Sequence, residues 1–502
     1  MYSSPSFFQP DYYKNPNLIR SYLGQNVRAS IAGLGWITAQ ILNIDDAAGT
    51  IGLNILSNQR EKYVEVFLED IYSIEPHEYS ATPKDRAVSE KLSKNTRQAG
   101  KTSWTREQAM QIKVTADNMA PLIHGDDFFQ TSMDLWLWDT WPLNNKDGSV
   151  TVINGWKIVF SLSAPRSVGP EQRHDIAAIS YFYSRDGFNW IEGGLAFPIE
   201  MGLGSRQWAG SAMYDNGRLY LFYTAAGRKG EPKVTFEQRI VLGAADVRAD
   251  LSGVCFTNWD QHKIILEADG KLYQTMEQAD GPIIYSFRDP WFFKDPNSGE
   301  EYLLFEGNTP GPSTTKTCMP VEARVYNGSI GIAKLKGNDY TKWELLPHIF
   351  DAECVNQQLE RPHLVLKNNR YYLFTVTHKF TFAPGITAPD GLYGFISDRL
   401  MGGYIPLDNG GLVVANPINE ELQAYSWFVL SNETILSFIN WYDTGGIDPG
   451  RENIEFQFKH FGGAYAPTLQ ISLNGTHSRI IRELEQGLVI AGSYEEWQRF
   501  GR

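Results

Sequence analysis

A repeated strand pattern dominates the chain from residue 104 onward. A strand that ends in a run rich in Phe and Tyr is followed by a second strand, often with a turn of Ser-x-Asp type. The runs begin at Trp156, Arg218, Glu301, Arg370 and Thr434. Five such units predict an all-β chain folded as a five-bladed β-propeller, although an irregular β-sandwich with coincidental spacing is an alternative.

The first 95 residues follow a different pattern. Residues 35–43 and 50–56 flank the turn sequence Asp45-Asp-Ala-Ala-Gly and predict a hairpin, and residues 62–71 alternate as a further strand. We expect these strands to form a small β-barrel of the Src-homology 3 or Tudor type.

A domain boundary is predicted within the polar segment 79–101, which has few apolar anchors and is typical of a linker or an exposed helix. With 502 residues, the chain is too long for one ordinary domain. We therefore expect a domain at residues 1–95 and a second at 96–502.

Charge and composition narrow the possible partners. The formal net charge is −13, and no stretch is rich in Lys or Arg, so nucleic acid and anionic membranes are not expected as partners. The first residues contain no basic segment followed by an apolar one, and the longest apolar stretch, 31–42, is interrupted by Gly and Gln. This pattern predicts neither a signal peptide nor a membrane span. The three cysteines match no zinc pattern and can form at most one disulfide.

Three acidic residues in different repeat units are candidates for chemistry: Asp139 in Trp-Asp-Thr-Trp-Pro, Asp289 in Phe-Arg-Asp-Pro and Glu360 in Leu-Glu-Arg-Pro. Each motif alone is more typical of a surface turn. Together they favour glycosidic cleavage, which needs one carboxylate near the anomeric carbon and one carboxyl that protonates the leaving oxygen. An adjacent arginine would lower the pKa of an acid, so we expect Arg288 and Arg361 to point towards substrate or other acids.

The region from about residue 104 to 495 resembles the family-68 glycoside hydrolases, which are levansucrases, inulosucrases and related β-fructofuranosidases. The resemblance is closest to the Gram-negative branch. Beyond the three acidic motifs, it is carried by Gln207-Trp-Ala-Gly-Ser-Ala, Tyr273-Gln-Thr, Phe305-Glu-Gly-Asn, Val355-Asn-Gln-Gln-Leu and His378-Lys-Phe-Thr-Phe-Ala.

Roles for individual residues follow from this resemblance. It implies that Asp139 is the nucleophile, Glu360 the acid/base and Asp289 the transition-state stabiliser that holds fructosyl hydroxyls. It further implies that the fructosyl pocket is framed by Trp138, Trp208 and Arg288. The glucosyl side or the acceptor would be met by Arg361, Gln358, His378 and Tyr425.

The resemblance also bears on metals and cysteines. Gram-positive relatives hold calcium partly through an Asp three residues before the acid/base, where this chain has Gln357, a poorer ligand. We expect no tightly bound metal and no cofactor.

Some Gram-negative relatives have a disulfide whose second cysteine precedes the acid/base motif, as Cys354 does. The resemblance would therefore pair Cys354 with Cys318. Two buried free thiols are the alternative.

The function implied by the resemblance is a two-step transfer of fructose from sucrose through a covalent fructosyl-enzyme to a fructan, an oligosaccharide or another sugar acceptor. Alternatives are an invertase that passes fructose mainly to water, an inulosucrase, and a non-catalytic sugar-binding propeller. Relatives commonly act outside the cell, but the start of this chain shows no leader, which leaves a cytoplasmic location open.

Overall fold

A computed structural model describes residues 23, 25–31, 35–45, 50–55, 62–67, 71–76 and 102–492. The chain divides into two compact units, Met1–Ala87 and Val88–Arg502. The segment 79–101, in which the sequence predicts the domain boundary, lies outside the described residues.

The amino-terminal unit contains a five-stranded antiparallel sheet. Its strands are β1 (Asn26–Ile31), β2 (Gly35–Asp45), β3 (Thr50–Ile55), β4 (Lys62–Phe67) and β5 (Ile71–Pro76), in the order β4-β3-β2-β1-β5. Alternate residues such as Val27, Ala29 and Ile31 are buried, because successive side chains of a strand point to opposite faces. The predicted hairpin is present as β2 and β3. Of the strand predicted over 62–71, residues 62–67 form β4 and Ile71 begins β5, while residues 68–70 lie outside the described ones.

The larger unit is built from five consecutive groups of strands. The first group is β7 (Leu135–Asn145), β8 (Lys157–Pro165), β9 (Ala178–Ser184) and β10 (Ile191–Leu195). The second is β11 (Arg206–Asp215), β12 (Arg218–Ala226), β13 (Gln238–Asp250), β14 (Gly253–Thr257) and β15 (Lys263–Leu266). The third is β16 (Phe287–Lys294), β17 (Glu301–Asn308), β18 (Gly328–Leu335) and β19 (Trp343–Asp351), with β6 (Thr102–Ser103) added in parallel to β19.

The fourth group is β20 (Glu360–Lys367), β21 (Arg370–Thr377), β22 (Gly391–Ser397), β23 (Ile405–Pro406) and β24 (Leu412–Ala415). The fifth is β25 (Ala424–Val429), β26 (Thr434–Trp441), β27 (Phe461–Tyr465), β28 (Pro467–Asn474) and β29 (His477–Gln486). Helices are short in the described part of the chain. The α-helices are α1 (Arg106–Ala109) and α2 (Ile454–His460). The 3₁₀ turns are Gly125–Asp127, Pro170–Asp175, Ile199–Met201, Met276–Gln278, Ser313–Thr315, Val321–Val325, Lys379–Thr381 and Pro449–Arg451.

The first strands of the five groups form a ring, and we call β7, β11, β16, β20 and β25 the inner strands. Each packs against the next, and β25 packs against β7. Within the ring only β7 and β11 share a backbone ladder, a short parallel pairing of Leu143 to Asn145 with Ala212 to Tyr214. The five repeated runs seen in the sequence are β8, β12, β17, β21 and β26, the second strand of each group.

The start of the larger unit is fastened to two of the groups. Strand β6 pairs with β19, and the Trp104 amide donates to the Asp351 carbonyl at 2.7 Å. The Trp104 ring is buried against Tyr393 and Phe395 of β22, with ring centroids 5.3 and 5.2 Å apart. This single residue therefore joins the third and fourth groups.

Among the described residues, no helix combines the length and the apolar character that crossing a bilayer requires.

Cys318 and Cys354 form a disulfide that closes a segment of 36 residues. Cys318 is buried, and the carbonyl of Cys354 accepts a hydrogen bond from Arg106 at 2.9 Å. The bridge thus fixes the segment that leads into β20, where the acidic residue Glu360 lies.

We predict that the double variant Cys318→Ala/Cys354→Ala loses about 3 to 4 kcal/mol of unfolding free energy in the chain-entropy model, because the unfolded chain regains the freedom of a closed loop. Denaturant unfolding measures this change. The control is Cys255→Ala, which replaces an exposed free cysteine and should leave stability nearly unchanged. An equal midpoint for both variants would show that the bridge does not stabilise the fold.

Candidate active site

One cavity of about 500 Å³ is lined by residues from all five inner strands. The sequence singled out ten residues for catalysis or substrate binding, and every one of them lines this cavity: Trp138, Asp139, Trp208, Arg288, Asp289, Gln358, Glu360, Arg361, His378 and Tyr425. The structure therefore brings together side chains that lie up to almost 300 residues apart in the chain.

A β-bulge interrupts each inner strand at the cavity. The ladder shifts register after Trp138, Trp208, Arg288, Glu360 and Tyr425. In four of the five strands, the next residue has a left-handed backbone: Asp139 (φ 48°), Asp289 (φ 58°), Arg361 (φ 49°) and Ser426 (φ 59°). A bulge breaks the alternation of side chains, so two neighbours on one strand can both face the cavity. The pairs Trp138-Asp139, Arg288-Asp289 and Glu360-Arg361 do so.

Arg361 ties its own strand, β20, to three other inner strands. Its guanidinium donates to the Ser426 carbonyl and hydroxyl at 3.1 and 2.7 Å and to the Thr140 carbonyl at 2.8 Å. Its backbone amide donates to Asp289 Oδ2 at 3.1 Å. The guanidinium was expected to face substrate or other acids, but these hydrogen bonds go to backbone and hydroxyl oxygens. Its positive charge still lies close enough to Asp139 to oppose the effect of burial on the pKa of that carboxyl.

Arg288 is directed towards other acids, as expected. Its Nε lies 2.7 Å from Glu306 Oε2, and its Nη2 donates to Glu360 Oε1 at 3.1 Å. Glu306 is fully buried on β17 and also accepts from the Ser286 hydroxyl and the Leu359 amide. Burial raises the pKa of Glu306 well above its ordinary value, and Arg288 opposes this effect.

Glu306 was not identified from the sequence as a site residue, although its Phe-Glu-Gly-Asn motif contributed to the resemblance. It lies on a second strand behind the cavity and does not line it. An acid flanked by Phe and Gly within a strand that is otherwise apolar was the available signal, since a buried carboxylate needs a partner.

Glu360 is held at both oxygens. Tyr425 donates its hydroxyl to Oε2 at 2.6 Å, while Arg288 donates to Oε1. The Tyr425 ring stacks on His378 with centroids 3.9 Å apart, and His378 Nδ1 lies 2.7 Å from Asp390 Oδ2. Burial lowers the pKa of His378, but the carboxylate of Asp390 outweighs it and the net shift is upward.

Asp139 lies on β7 next to the buried Trp138. Burial raises the pKa of Asp139, whereas the Arg361 charge and the Ser426 hydroxyl favour its ionised form. Glu360 also raises this pKa, and both Asp139 and Glu360 raise that of Asp289. The three candidate acids therefore influence one another within one site.

Among the cavity residues that were missed in the sequence, two are titratable, Arg173 and His174, which lie on the 3₁₀ turn between β8 and β9. The His174 ring packs edge-on against Trp138, and its carbonyl accepts from the Trp208 indole at 3.2 Å. Burial lowers the pKa of His174 well below its ordinary value and so favours the neutral ring. It positions both tryptophans. The adjacent polar residues Arg-His-Asp after a strand gave only a weak signal.

No group of three or more His, Cys, Asp or Glu side chains suited to a metal ion occurs in the part of the chain that the structure describes. The side-chain oxygen of Gln357, at the position discussed for calcium, accepts from the Asn327 amide at 3.0 Å. That oxygen is therefore already occupied by a hydrogen bond within the protein.

Known proteins are similar to this chain in sequence and in fold. The chain belongs to the family described as Levansucrase/Invertase, whose pattern matches residues 92–490. It is 35% identical over 406 residues to an extracellular sucrase of Zymomonas mobilis, covering 77% of this chain and 95% of that protein. It is 34% identical over 422 residues to a levansucrase of Erwinia amylovora, covering 78% and 96%.

A solved structure of an inulosucrase from Halalkalicoccus jeotgali bound to kestose superposes with a TM-score of 0.75 at 46% sequence identity. The match covers 78% of this chain and 98% of that chain. The described residues before 102 lie outside the matched family region.

We predict that Asp289→Asn stabilises the protein at alkaline pH. Burial raises the pKa of Asp289 to about 7, against the opposing effect of Arg288. Since this value exceeds the pKa of about 4 in an unfolded chain, the stability contributed by the neutral carboxyl is complete below about pH 4 and is lost as the pH rises through about 7. Asparagine cannot ionise and avoids this loss.

Thermal melts of Asp289→Asn should therefore show a melting temperature above that of the unaltered protein at about pH 8, with a difference that shrinks towards pH 5. The control is Asp339→Asn. Hydrogen bonds from Thr341 hold the pKa of the exposed Asp339 at about 2, so it is ionised at both pH values. A difference for Asp289→Asn that does not change between the two pH values would contradict the prediction.

Proposed function

We propose that residues 96–502 form a retaining fructosyltransferase that cleaves sucrose and passes fructose to a sugar acceptor. The observation that carries this proposal is the meeting of Asp139, Asp289 and Glu360, from three different inner strands, in one cavity. Membership of the Levansucrase/Invertase family supports it. The levansucrase of Erwinia amylovora and the kestose-bound inulosucrase support a sucrose-derived donor and a fructosyl product.

We propose a five-bladed β-propeller as the architecture of this domain. Five consecutive groups of strands and the closed ring of inner strands support it. In a propeller the inner strands of all blades converge on a central channel, which accounts for a site assembled from every group. For residues 1–95 we keep the proposal of a small barrel-like domain, supported by the five-stranded sheet.

In the first chemical step, Asp139 attacks C2 of the fructosyl unit while Glu360 protonates the departing glucosyl oxygen. Arg361 and the Ser426 hydroxyl favour the ionised Asp139 that attack requires. Tyr425 and Arg288 hold the Glu360 carboxyl in place through both oxygens. Asp289 and Arg288, with Trp138 and Trp208, are proposed to hold the fructosyl ring and its hydroxyls.

In the second step, the acceptor hydroxyl transfers its proton to Glu360 and attacks C2, which displaces Asp139. Gln358, His378 and Tyr425 are proposed to contact the glucosyl unit or the acceptor, because they line the same cavity beside Glu360. Arg361 lines it too, and we propose that it acts there mainly by fixing the strands that carry Asp139 and Asp289. Water as the acceptor would give invertase activity from the same site.

We also propose that the protein acts outside the cell. The name of the Zymomonas mobilis relative, an extracellular sucrase, supports this location. The disulfide between Cys318 and Cys354 supports it as well, since disulfides persist in oxidising compartments.

Incubation with concentrated sucrose tests the overall reaction. We expect more free glucose than free fructose, because part of the fructose is transferred to saccharides, and larger products should be separable by chromatography. Equal glucose and fructose at every sucrose concentration would establish hydrolysis in place of transfer. An unchanged sucrose concentration would reject the proposed enzymatic activity altogether.

Two substrates with different leaving groups distinguish the roles proposed for Asp139 and Glu360. We expect Glu360→Gln to lose about 10²- to 10⁴-fold in kcat on sucrose, because the leaving oxygen is no longer protonated. On fructosyl fluoride, whose leaving group needs little protonation, Glu360→Gln should recover most of its activity in forming the fructosyl-enzyme, whereas Asp139→Asn should stay inactive.

Glu344→Gln is the matched control, since its exposed carboxylate lies outside the cavity, and it should behave as the unaltered protein. Recovery of Asp139→Asn on the fluoride would contradict the assigned roles.

A further inference from the structure

Phe380 is an exposed aromatic ring at the cavity that the proposed steps do not use. Its side chain is 63% exposed, yet it lines the same cavity as the three acids. A single exposed apolar residue is ordinary on a protein surface. Phe380 differs because it is the outer member of a series of rings that ends at Glu360.

The series contains three nearly parallel rings. Phe380 stacks on His378 with centroids 5.0 Å apart and an interplanar angle of 18°. His378 stacks on Tyr425 at 3.9 Å and 10°, and the Tyr425 hydroxyl donates to Glu360 at 2.6 Å. Exposure rises along this series, from the buried Tyr425 through the partly exposed His378 to Phe380. The rings therefore lead from the acid to the solvent.

The backbone beneath Phe380 is fixed. Residues Lys379–Thr381 form a 3₁₀ turn, and Asp390 accepts from the Lys379 amide at 2.7 Å while its other oxygen contacts His378. The Thr381 hydroxyl donates back to the His378 carbonyl at 2.8 Å. A ring presented on such a turn loses little conformational freedom when it binds a ligand.

The position of Glu360 defines which sugar such a ring would meet. Glu360 contacts the oxygen through which the glucosyl unit leaves and the acceptor enters, so a saccharide beside the ring series lies on that side of the bond. Trp138 and Trp208 instead contact Arg173 and His174. The apolar C–H face of a sugar packs well on an aromatic ring.

We propose that Phe380 is an acceptor-binding residue, which stacks on the incoming saccharide and so favours transfer over attack by water. This inference rests on the proposed fructosyl transfer. Removal of the Phe380 ring should weaken binding of the saccharide acceptor. Cleavage of sucrose should remain nearly intact, because water can still attack the fructosyl-enzyme.

The test compares Phe380→Ala, Phe380→Leu and Phe380→Tyr with the unaltered protein at high sucrose concentration. Glucose release reports cleavage, and the ratio of free fructose to glucose reports the share of water as acceptor. We expect Phe380→Ala to weaken saccharide acceptance relative to water by about three- to tenfold, in the range contributed by one aromatic pair, with kcat for glucose release within about twofold. Phe380→Tyr should behave as the unaltered protein, and Phe380→Leu should resemble Phe380→Ala.

Phe129→Ala is the matched control, because Phe129 is similarly exposed but lies outside the cavity. An unchanged product ratio in Phe380→Ala would overturn the inference while leaving the proposed function intact. A large fall in glucose release would also overturn it, since Phe380 would then act by positioning His378. If the unaltered protein gives equal glucose and fructose throughout, the transfer step fails, and the inference fails with it.

Discussion

The site depends on one backbone constraint, the bulge that interrupts each inner strand at the cavity. A regular strand would send every second side chain away from the channel. With a bulge and a left-handed residue, Asp139 and Asp289 face the cavity together with Trp138 and Arg288. Left-handed backbone is uncommon for residues other than glycine and is least unfavourable for Asp and Asn. Two of the three candidate acids are therefore residues that tolerate the geometry their position requires.

Arg361 and Ser426 depart from this preference, and in β20 a long side chain occupies the left-handed position. The guanidinium of Arg361 is buried and bonded to the backbones of β7 and β25. Removing one partner of such a buried, hydrogen-bonded charge is strongly unfavourable, so these bonds stabilise the arrangement of β7, β20 and β25. The adjacent Glu360 lies at the same bulge of β20.

Buried charge is balanced inside the site. Glu306 and Glu360 share Arg288, while Asp139 and Asp289 lie near Arg361. Burial raises the pKa values of Asp139, Asp289 and Glu306, and the nearby arginines offset part of this effect.

Much of this arrangement could be predicted from the sequence. The repeated Phe/Tyr runs predicted the second strand of every group. The motifs that carry the family resemblance, with Asp139, Asp289 and Glu360 among them, predicted residues that the structure brings to one cavity. The direction of the Arg361 side chain could not be predicted, since the two-residue alternation on which such reasoning rests fails at a bulge. Glu306 was missed because it acts from behind the cavity, through Arg288, and no spacing rule connects the two strands.

The short parallel ladder between β7 and β11 makes the first two groups one continuous sheet, whereas side-chain packing and hydrogen bonds that involve side chains join the other neighbouring inner strands. Backbone pairing therefore continues across one junction of the ring, and contacts that involve side chains close the other four. A substitution at one of those four junctions, such as the one between β20 and β25 across which Tyr425 reaches Glu360, would alter how two groups of strands meet as well as the cavity itself.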